Sequence, residues 1–315
     1  MKRRALRVAL RLVGPVLLTI VLLRMDNREA IWSTVAGADL PPLALAVALV
    51  FVNLHLKVVR WDVLLRTRGI RYPLGLAWGA YLSSSYVGML TPGRVGDVLR
   101  VQYLRRDRDV SYAEGLASVV MDRLCDLYVL VVFASVGFVR FSSVLVGELA
   151  YIAWAIVAAT VLGPLILLVP GVAEKLLSRA YQRLSRQADA GGFDRFLEAL
   201  RANVGRALAL TLPLTIAAFL VNYAQAWLAA RALHLDLSFF DLMCLLSIAS
   251  LLGLLPISIS GVGVRELFFA LAFPVLGLTA AAGVSFGLLI FVVINLVVIL
   301  AGFVSWQLYP PPTAA

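Results

Sequence analysis

The stretch Ser85–Arg100 (SYVGMLTPGRVGDVLR) and the stretch Ser250–Glu266 (SLLGLLPISISGVGVRE) share one unusual pattern. Each begins as an apolar run of the form S-x-x-G-x-L, is interrupted by a proline, passes through glycines, and ends in an arginine near a carboxylate. A pair of hydrophobic segments broken by Gly and Pro is the best sequence indication of a binding site in a membrane transporter. The two stretches therefore predict a polytopic membrane protein with its site between two re-entrant segments.

The composition of the chain also predicts a membrane protein. Hydrophobic residues make up 62% of the 315 residues and charged residues only 15%, and the mean hydropathy is +0.93. Several apolar runs approach the roughly 20 residues that a helix needs to span a bilayer. Spans, broken segments and short connectors use the whole length, so we expect a single integral membrane domain, 1–315, and not an enzyme with a soluble catalytic domain.

The order of the apolar runs predicts an all-α polytopic fold with about six to eight transmembrane helices. The first half, 1–140, contains the first re-entrant segment, 74–92. Residues 141–207 supply a span and an amphipathic cytoplasmic connector, and the second half, 208–315, contains the second re-entrant segment, 242–260. We expect the two halves to form an inverted repeat, with chance similarity of two short stretches as the alternative.

The distribution of basic residues predicts the orientation in the cell (cytoplasmic) membrane. Basic residues precede the apolar run Leu12–Leu23, which we interpret as an uncleaved first helix, and Lys57–Arg71 carries five basic residues against one acid. Cytoplasmic loops are enriched in Lys and Arg. The N-terminus and the 57–71 connector are therefore expected in the cytoplasm, and the second broken segment is expected to enter from the opposite side.

The connector Pro170–Arg206 carries two helical apolar stripes beside basic residues. This pattern predicts a pair of amphipathic helices at the membrane interface, or else a solvated helical connector. The stripes consist of Leu176, Leu177, Ala180 and Leu184, and of Phe193, Phe196, Leu197, Leu200 and Val204.

Charged residues inside the apolar runs indicate the working part of the molecule. A charge at the centre of a span costs at least about 2.5–3.5 kcal/mol, so such residues face a cavity or pair with one another. Asp122 and Asp126 share a helix face with Arg123 close by, which fits a phosphate or proton site and equally fits an internal salt bridge. The candidate binding residues are Arg94, Asp97, Arg100, Asp122, Arg123, Asp126, Arg265 and Glu266, and the candidate break residues are Pro92, Gly93, Gly96, Pro256, Gly261 and Gly263.

Cofactor, metal and nucleic-acid functions are not indicated. Cys125, Cys244, His55 and His234 are isolated and lack metal-ligand spacing, and no P-loop pattern is present. The net charge of +10 is concentrated at the ends of apolar runs, which favours anionic lipid as the partner over nucleic acid. We expect phosphate-bearing membrane lipid head groups as partners, and self-association into a homo-oligomer is left open.

Three motifs carry a family resemblance along nearly the whole chain: TPGRVGDVLR at 91–100, MDRLCDL at 121–127 and PISISGVGVRE at 256–266. In this order they resemble the lysylphosphatidylglycerol synthase transmembrane-region family, also described as flippase-like. The family patterns P-x-x-x-G-E and E-R-x-x-D have shorter acids here, Asp97 and Asp122. The third pattern, P-G-G-x-G-x-x-E, has a longer polar gap here, between Pro256 and Gly261.

The resemblance implies a flippase that moves phospholipids or polyprenyl-linked lipids between leaflets. In that interpretation the phosphate meets Arg94, Arg123 or Arg265 in a polar cavity, and the acyl chains stay in the bilayer. Three alternatives share these charges: an ion-coupled small-molecule transporter, an intramembrane lipid-modifying enzyme using Asp122 and Asp126, and a non-catalytic membrane assembly protein.

Overall fold

The computed structural model describes residue 33, residues 35–141, 192–202, 206–254 and 261–311, and isolated positions between 151 and 178. Throughout this part of the chain the regular structure is helical, without a strand. The predicted all-α membrane fold is thereby confirmed. The predicted helix Leu12–Leu23, the break residue Pro256 and the first apolar stripe of the connector lie outside the described residues.

Ten α-helices are described, and three shorter helical turns interrupt or extend them. The elements are α1 (Leu40–Arg66), α2 (Leu74–Leu90), a 3₁₀ helix (Pro92–Val98), α3 (Leu99–Arg108), α4 (Tyr112–Arg140), α5 (Gly192–Ala202), α6 (Arg206–Ala232), α7 (Phe239–Leu252), α8 (Val264–Ala272), a 3₁₀ turn (Phe273–Leu276), α9 (Ala280–Ile290), a π-helical turn (Phe291–Leu296) and α10 (Val297–Leu308).

Three of the described helices are long and apolar enough to cross a membrane: Leu40–Arg66, Ala207–Ala232 and the continuous helix Ala280–Leu308. Helix α4 has 29 residues, which is also sufficient in length, but it carries the charged MDRLCDL motif. The predicted span Val146–Val169 falls almost entirely on residues that the structure does not describe. The total of about six to eight spans therefore stays a prediction.

Helices α1 and α6 form an antiparallel pair whose register is fixed by buried side-chain amides. The Nδ2 group of Asn53 donates to Ala218 O at 2.5 Å, and Nε2 of Gln225 donates to Ala46 O at 3.2 Å. Helix α1 continues to Arg66, into the stretch 57–71 that the sequence predicts as a connector. The residues 57–66, predicted to begin a cytoplasmic connector, are thus part of a membrane-length helix.

Contacts at the two ends of the helices define the direction of each element. At one end, which we call the basic end, Tyr309 meets Tyr72 and Asp107, and Nε of Arg108 donates to Arg71 O at 3.1 Å. The sequence leaves the side of the last helix unassigned, and these contacts place its C-terminal end at the basic end.

The opposite end is where α1 begins, α4 and α6 terminate and α7 begins. There Asp39 N donates to Ala232 O at 2.9 Å, and Arg140 Nε lies 2.9 Å from Asp241 Oδ1.

Residues 71–108 form the first hairpin, which begins and ends at the basic end. Helix α2 runs inward, the 3₁₀ helix turns against the end of α2, and α3 returns. A methyl group on Gly96 would lie only 2.4 Å from Gly88 N and from the carbonyl carbon of Val87. Glycine is therefore required at Gly96 for this close approach.

Residues 239–254 and 261–272 form the two arms of the second hairpin, in which α7 and α8 pack side by side. Gly261 and Gly263 have φ values of +75° and +88°, a region that residues with a side chain rarely adopt. The positive φ values thus explain why glycines occupy these two predicted break positions.

Helix α5 contains four of the five residues of the second apolar stripe of the connector, and the fifth, Val204, lies outside the described residues. Phe196, Leu197 and Leu200 are buried in one cluster with residues of α4 and α3, among them Leu116 and Val101. These three residues of the stripe are thus packed against protein. The sequence predicts contact with the membrane interface or with solvent.

Candidate functional site

Arg60 and the two aspartates of α4 form the centre of a buried ionic cluster. The guanidinium donates from Nε to Asp122 Oδ1 at 2.9 Å and from Nη1 to Asp126 Oδ1 at 2.5 Å. Nη1 also donates to the Thr215 hydroxyl on α6 at 3.1 Å. The side chain of Arg60 is fully buried, so these contacts tie α1, α4 and α6 together inside the bundle.

Arg100, from α3, supplies a second guanidinium to the same carboxylate. Its Nη1 donates to Asp122 Oδ2 at 2.9 Å. Its Cζ lies 4.5 Å from the ring centre of Tyr81 and 5.2 Å from that of Trp61. The aromatic faces add cation–π stabilisation to a charge that has left water.

Arg123 is the most exposed of the three arginines, with 29% of its side chain accessible. Its Nη2 donates to Asp122 Oδ2 at 2.9 Å and lies 3.3 Å from Asp126 Oδ2. Its Nη1 lies 3.5 Å from Asp97 Oδ2, and Tyr81 OH accepts from Nη2 at 3.2 Å. We call the six charged residues the charge cluster: Arg60, Asp97, Arg100, Asp122, Arg123 and Asp126.

The charge cluster divides into an enclosed part and an open part. Asp122 is held by Arg60, Arg100 and Arg123, so it has the character of an internal salt bridge. Arg123, by contrast, has 29% of its side chain exposed. Four side-chain atoms of the cluster are buried without a hydrogen-bond partner: Nη2 of Arg60, Nη2 of Arg100, Nε of Arg123 and Oδ2 of Asp97. Such groups are costly unless something satisfies them. The Arg123–Asp97 side is therefore the part suited to meet a ligand.

A cavity of about 110 Å³ lies directly beside this open part. Arg123 and Asp97 form one wall, and residues of α1, α2, α6 and the last membrane-length helix form the others. Its lining is Val50, Asn53, Leu54, Lys57, Tyr81, Ser85, Met89, Asp97, Arg123, Asn222, Gln225, Ile294, Asn295 and Val298.

Amide side chains are unusually frequent in this lining. Asn53, Asn222, Gln225 and Asn295 belong to helices whose other faces are apolar. Polar side chains within membrane-length helices normally mark a substrate or ion pathway, because lipid offers them no partner. The cavity therefore has the composition of a polar route through an apolar bundle.

Asn295 reaches the cavity from the π-helical turn Phe291–Leu296. A π turn inserts an extra residue into a helix, is rare, and occurs frequently at functional sites. Here the turn changes which residues of the helix face the cavity. It is a structural feature, separate from the charge cluster, that indicates a functional site.

Arg265 and Glu266 occupy a different place from the rest of the predicted site. The Glu266 carboxylate accepts from Gly263 N at 2.6 Å, and its Oε1 lies 2.5 Å from Arg265 Nη2. Glu266 thus caps the N-terminus of α8 by accepting from the backbone N–H of Gly263. Within the described ranges, neither residue is bonded to the charge cluster or lines the cavity.

The structure brings five of the other predicted binding residues together in one cluster: Asp97, Arg100, Asp122, Arg123 and Asp126. The backbone of Pro92, Gly93 and Arg94 belongs to the 3₁₀ helix, and the side chain of Arg94 lies outside what the structure describes. Arginines engage both α4 carboxylates, Asp122 and Asp126.

Sequence reasoning missed Arg60 and Lys57, because both were counted as part of a cytoplasmic connector. Asn53, Lys57 and Arg60 follow one another at intervals of four and three residues, which places them on one helix face. Extending the helical pattern beyond Val59 would have predicted this polar stripe.

Comparisons with known proteins agree with the motifs. A family model described as the lysylphosphatidylglycerol synthase TM region matches residues 6–302. Glycosyltransferase AglD of Haloferax volcanii is 28% identical over an alignment of 341 positions, gaps included, which covers 95% of this chain. The chain spans about half, 54%, of that relative's length. With a match over nearly its entire length, the chain belongs to the lysylphosphatidylglycerol synthase TM region family.

Proposed function

We propose that this protein moves a phosphate-bearing lipid between the two leaflets of the cell membrane, with the head group passing through the amide-lined cavity. The observation that carries the proposal is the cavity itself: a polar space inside membrane-length helices, with an incompletely satisfied arginine in its wall. The family, named after a phospholipid synthase, supports a lipid as the transported molecule.

The charge of the site favours an anionic head group. The three arginines and three aspartates of the charge cluster balance one another, and Lys57 adds one positive charge to the cavity wall. Guanidinium and ammonium groups bind phosphate through charge-assisted hydrogen bonds. In this proposal Arg123 and Lys57 meet the phosphate, and Asp97 keeps Arg123 oriented.

The hairpins fit the proposed topology. The first hairpin begins and ends at the basic end, as a re-entrant segment does, and α7 of the second hairpin begins at the opposite end. In this proposal the basic end is cytoplasmic, because of its arginines, and the two hairpins are the matching elements of an inverted repeat. The N-terminus would then also be cytoplasmic.

The proposal assigns no catalytic chemistry to the chain. Asp122 and Asp126 are the carboxylates best placed for acid–base work, but arginines hold both of them. A carboxylate fixed in this way has little tendency to exchange a proton with a substrate. Their role in the proposal is to hold the arginines.

A small anionic solute is the second candidate cargo. The cavity volume of about 110 Å³ is well below the roughly 300–1,000 Å³ of pockets that enclose drug-sized ligands. A phosphate-sized anion would fit without rearrangement, whereas a lipid head group requires the helices around the cavity to part. Transport of the anion alone would use the same Arg123 and Lys57.

Liposomes containing the purified protein separate the two candidates. A phospholipid with a fluorescent acyl chain is placed in both leaflets, and a membrane-impermeant quencher is added outside. Lipid translocation predicts that the inner-leaflet label also becomes quenched, whereas protein-free liposomes lose only the outer label. Quenching confined to the outer leaflet, together with release of trapped inorganic phosphate, would overturn the lipid proposal in favour of the solute.

A further inference from the structure

Two buried amides in the cavity wall have a fixed orientation. Gln225 uses its Nε2 group to donate to Ala46 O, and Asn53 uses its Nδ2 group to donate to Ala218 O. A backbone carbonyl can only accept a hydrogen bond, so each amide must present its nitrogen there. The amide oxygen is the atom left over in each case.

The leftover oxygen of Gln225 is an unsatisfied acceptor in the cavity wall. Gln225 is fully buried, lines the cavity, and its Oε1 has no hydrogen-bond partner. Asp97 Oδ2, in the same lining, is already ion-paired with Arg123 Nη1 at 3.5 Å, so Gln225 Oε1 is the acceptor that remains for a ligand. A buried acceptor without a donor is destabilising, so a ligand that brings a donor to it is bound more favourably.

We propose that the cavity selects head groups that carry hydrogen-bond donors next to the phosphate. This inference rests on the proposed lipid translocation and specifies its cargo. The phosphate faces Arg123 and Lys57, while an ammonium or hydroxyl group donates to Gln225 Oε1. A head group with a phosphate and no donor leaves this acceptor unsatisfied and crosses more slowly.

The N-methylated series of phosphatidylethanolamine tests donors separately from charge. Phosphatidylethanolamine, its dimethyl derivative and phosphatidylcholine carry the same phosphate and the same positive charge, but their N–H groups fall from three to one to none. With one hydrogen bond contributing about 1 kcal/mol, we expect phosphatidylethanolamine to cross about fivefold faster than phosphatidylcholine, with the dimethyl lipid between them.

A matched pair of variants on α6 assigns the preference to its residue. Gln225→Met has nearly the same shape without the acceptor, and the ratio of the two rates should fall towards one. Leu220→Met, on the exposed face of the same helix, should keep the wild-type ratio. If Gln225→Met does not fold, the relative rates of the lipid series with the wild-type protein still test the inference.

Two results would overturn the inference and leave the proposed function standing: equal rates for phosphatidylethanolamine and phosphatidylcholine, or an unchanged ratio in Gln225→Met. Failure of every lipid to cross would instead contradict the proposed function itself.

Discussion

The guanidinium of Arg60 is held by two carboxylates and a hydroxyl from two other helices. Removing one partner of a buried ionic pair leaves an uncompensated charge in a medium that solvates it poorly. Arg60 therefore acts as a structural centre of the site, in contrast to Arg123, which is partly exposed and faces the cavity.

We expect Arg60→Gln to lower the free energy of unfolding by about 3–5 kcal/mol. Arg140→Gln is the matched control, since Arg140 pairs with a single carboxylate, Asp241, and is itself 45% exposed. Loss of this ion pair should lower the free energy of unfolding by about 0–1 kcal/mol. The measurement is unfolding of the purified protein in detergent; similar small losses for both variants would show that Arg60 is not a buried structural charge.

At the residue scale, the sequence predicts which residues belong to the charge cluster better than it predicts which of them are bonded to each other. The cost of charge in a span is sufficient to identify Asp122, Arg123 and Asp126. It does not reveal Arg60, because an arginine near the end of an apolar run is usually solvated outside it. Glu266 was placed in the site because a carboxylate after glycines also fits a binding loop, whereas here it caps a helix.

At the scale of elements, the turn of the first hairpin depends on two chain segments in contact. Gly96→Ala would place a methyl group 2.4 Å from the backbone of α2. We expect a loss of about 1–3 kcal/mol in unfolding free energy, as in other overpacked sites. The control is Gly75→Ala, where no atom lies within 4 Å and alanine should stabilise α2 by up to about 1 kcal/mol. Equal stability of the two variants would contradict the close approach.

The first hairpin also makes a prediction for the sidedness of labelling. Cys125 and Cys244 are buried, so single cysteines introduced at exposed positions report accessibility. We expect Arg71→Cys and Arg108→Cys to react with an impermeant thiol reagent from one side of the membrane, and Phe240→Cys from the other. Reaction of positions 71 and 108 from opposite sides would rule out the re-entrant hairpin.

The sequence predicts where the helices are broken, but it does not predict how the helices pack against one another. Proline restricts φ at Pro92, Gly261 and Gly263 have positive φ, and Gly96 allows the close approach to α2. The burial of the α5 stripe against α4 depends on long-range contact, which hydrophobic periodicity alone does not specify. The π-helical turn likewise has no simple sequence signal.

At the scale of the whole molecule, the end of the last helix is attached to the first hairpin. Tyr72 OH donates to Asp107 Oδ2 at 2.6 Å, Tyr309 OH donates to the same oxygen, and Arg106 Nε lies 2.8 Å from Asp107 Oδ1. Burial alone would raise the pKa of the Asp107 carboxyl, but these hydrogen bonds outweigh it and hold the pKa below its usual range. This contact joins the two halves of the chain at the basic end.

A carboxyl whose pKa is lower in the folded state stabilises the fold when ionised, and the contribution is lost as the pH falls through that pKa. The stabilisation by Asp107 is thus complete above its ordinary value of about 3.9 and declines below it. We expect the wild-type melting temperature in detergent to fall more steeply below about pH 4 than that of Asp107→Asn. Parallel curves for the two proteins would contradict this role of Asp107.

The central claim is that the head group crosses beside Arg123, and not beside Arg265. The most direct test measures phospholipid translocation in liposomes by Arg123→Gln and Arg265→Gln, with Arg123→Lys to retain the charge. The account predicts a loss of at least about tenfold for Arg123→Gln, as expected for a charge-assisted hydrogen bond, an intermediate rate for Arg123→Lys, and the wild-type rate for Arg265→Gln. Full activity of a folded Arg123→Gln protein would contradict it.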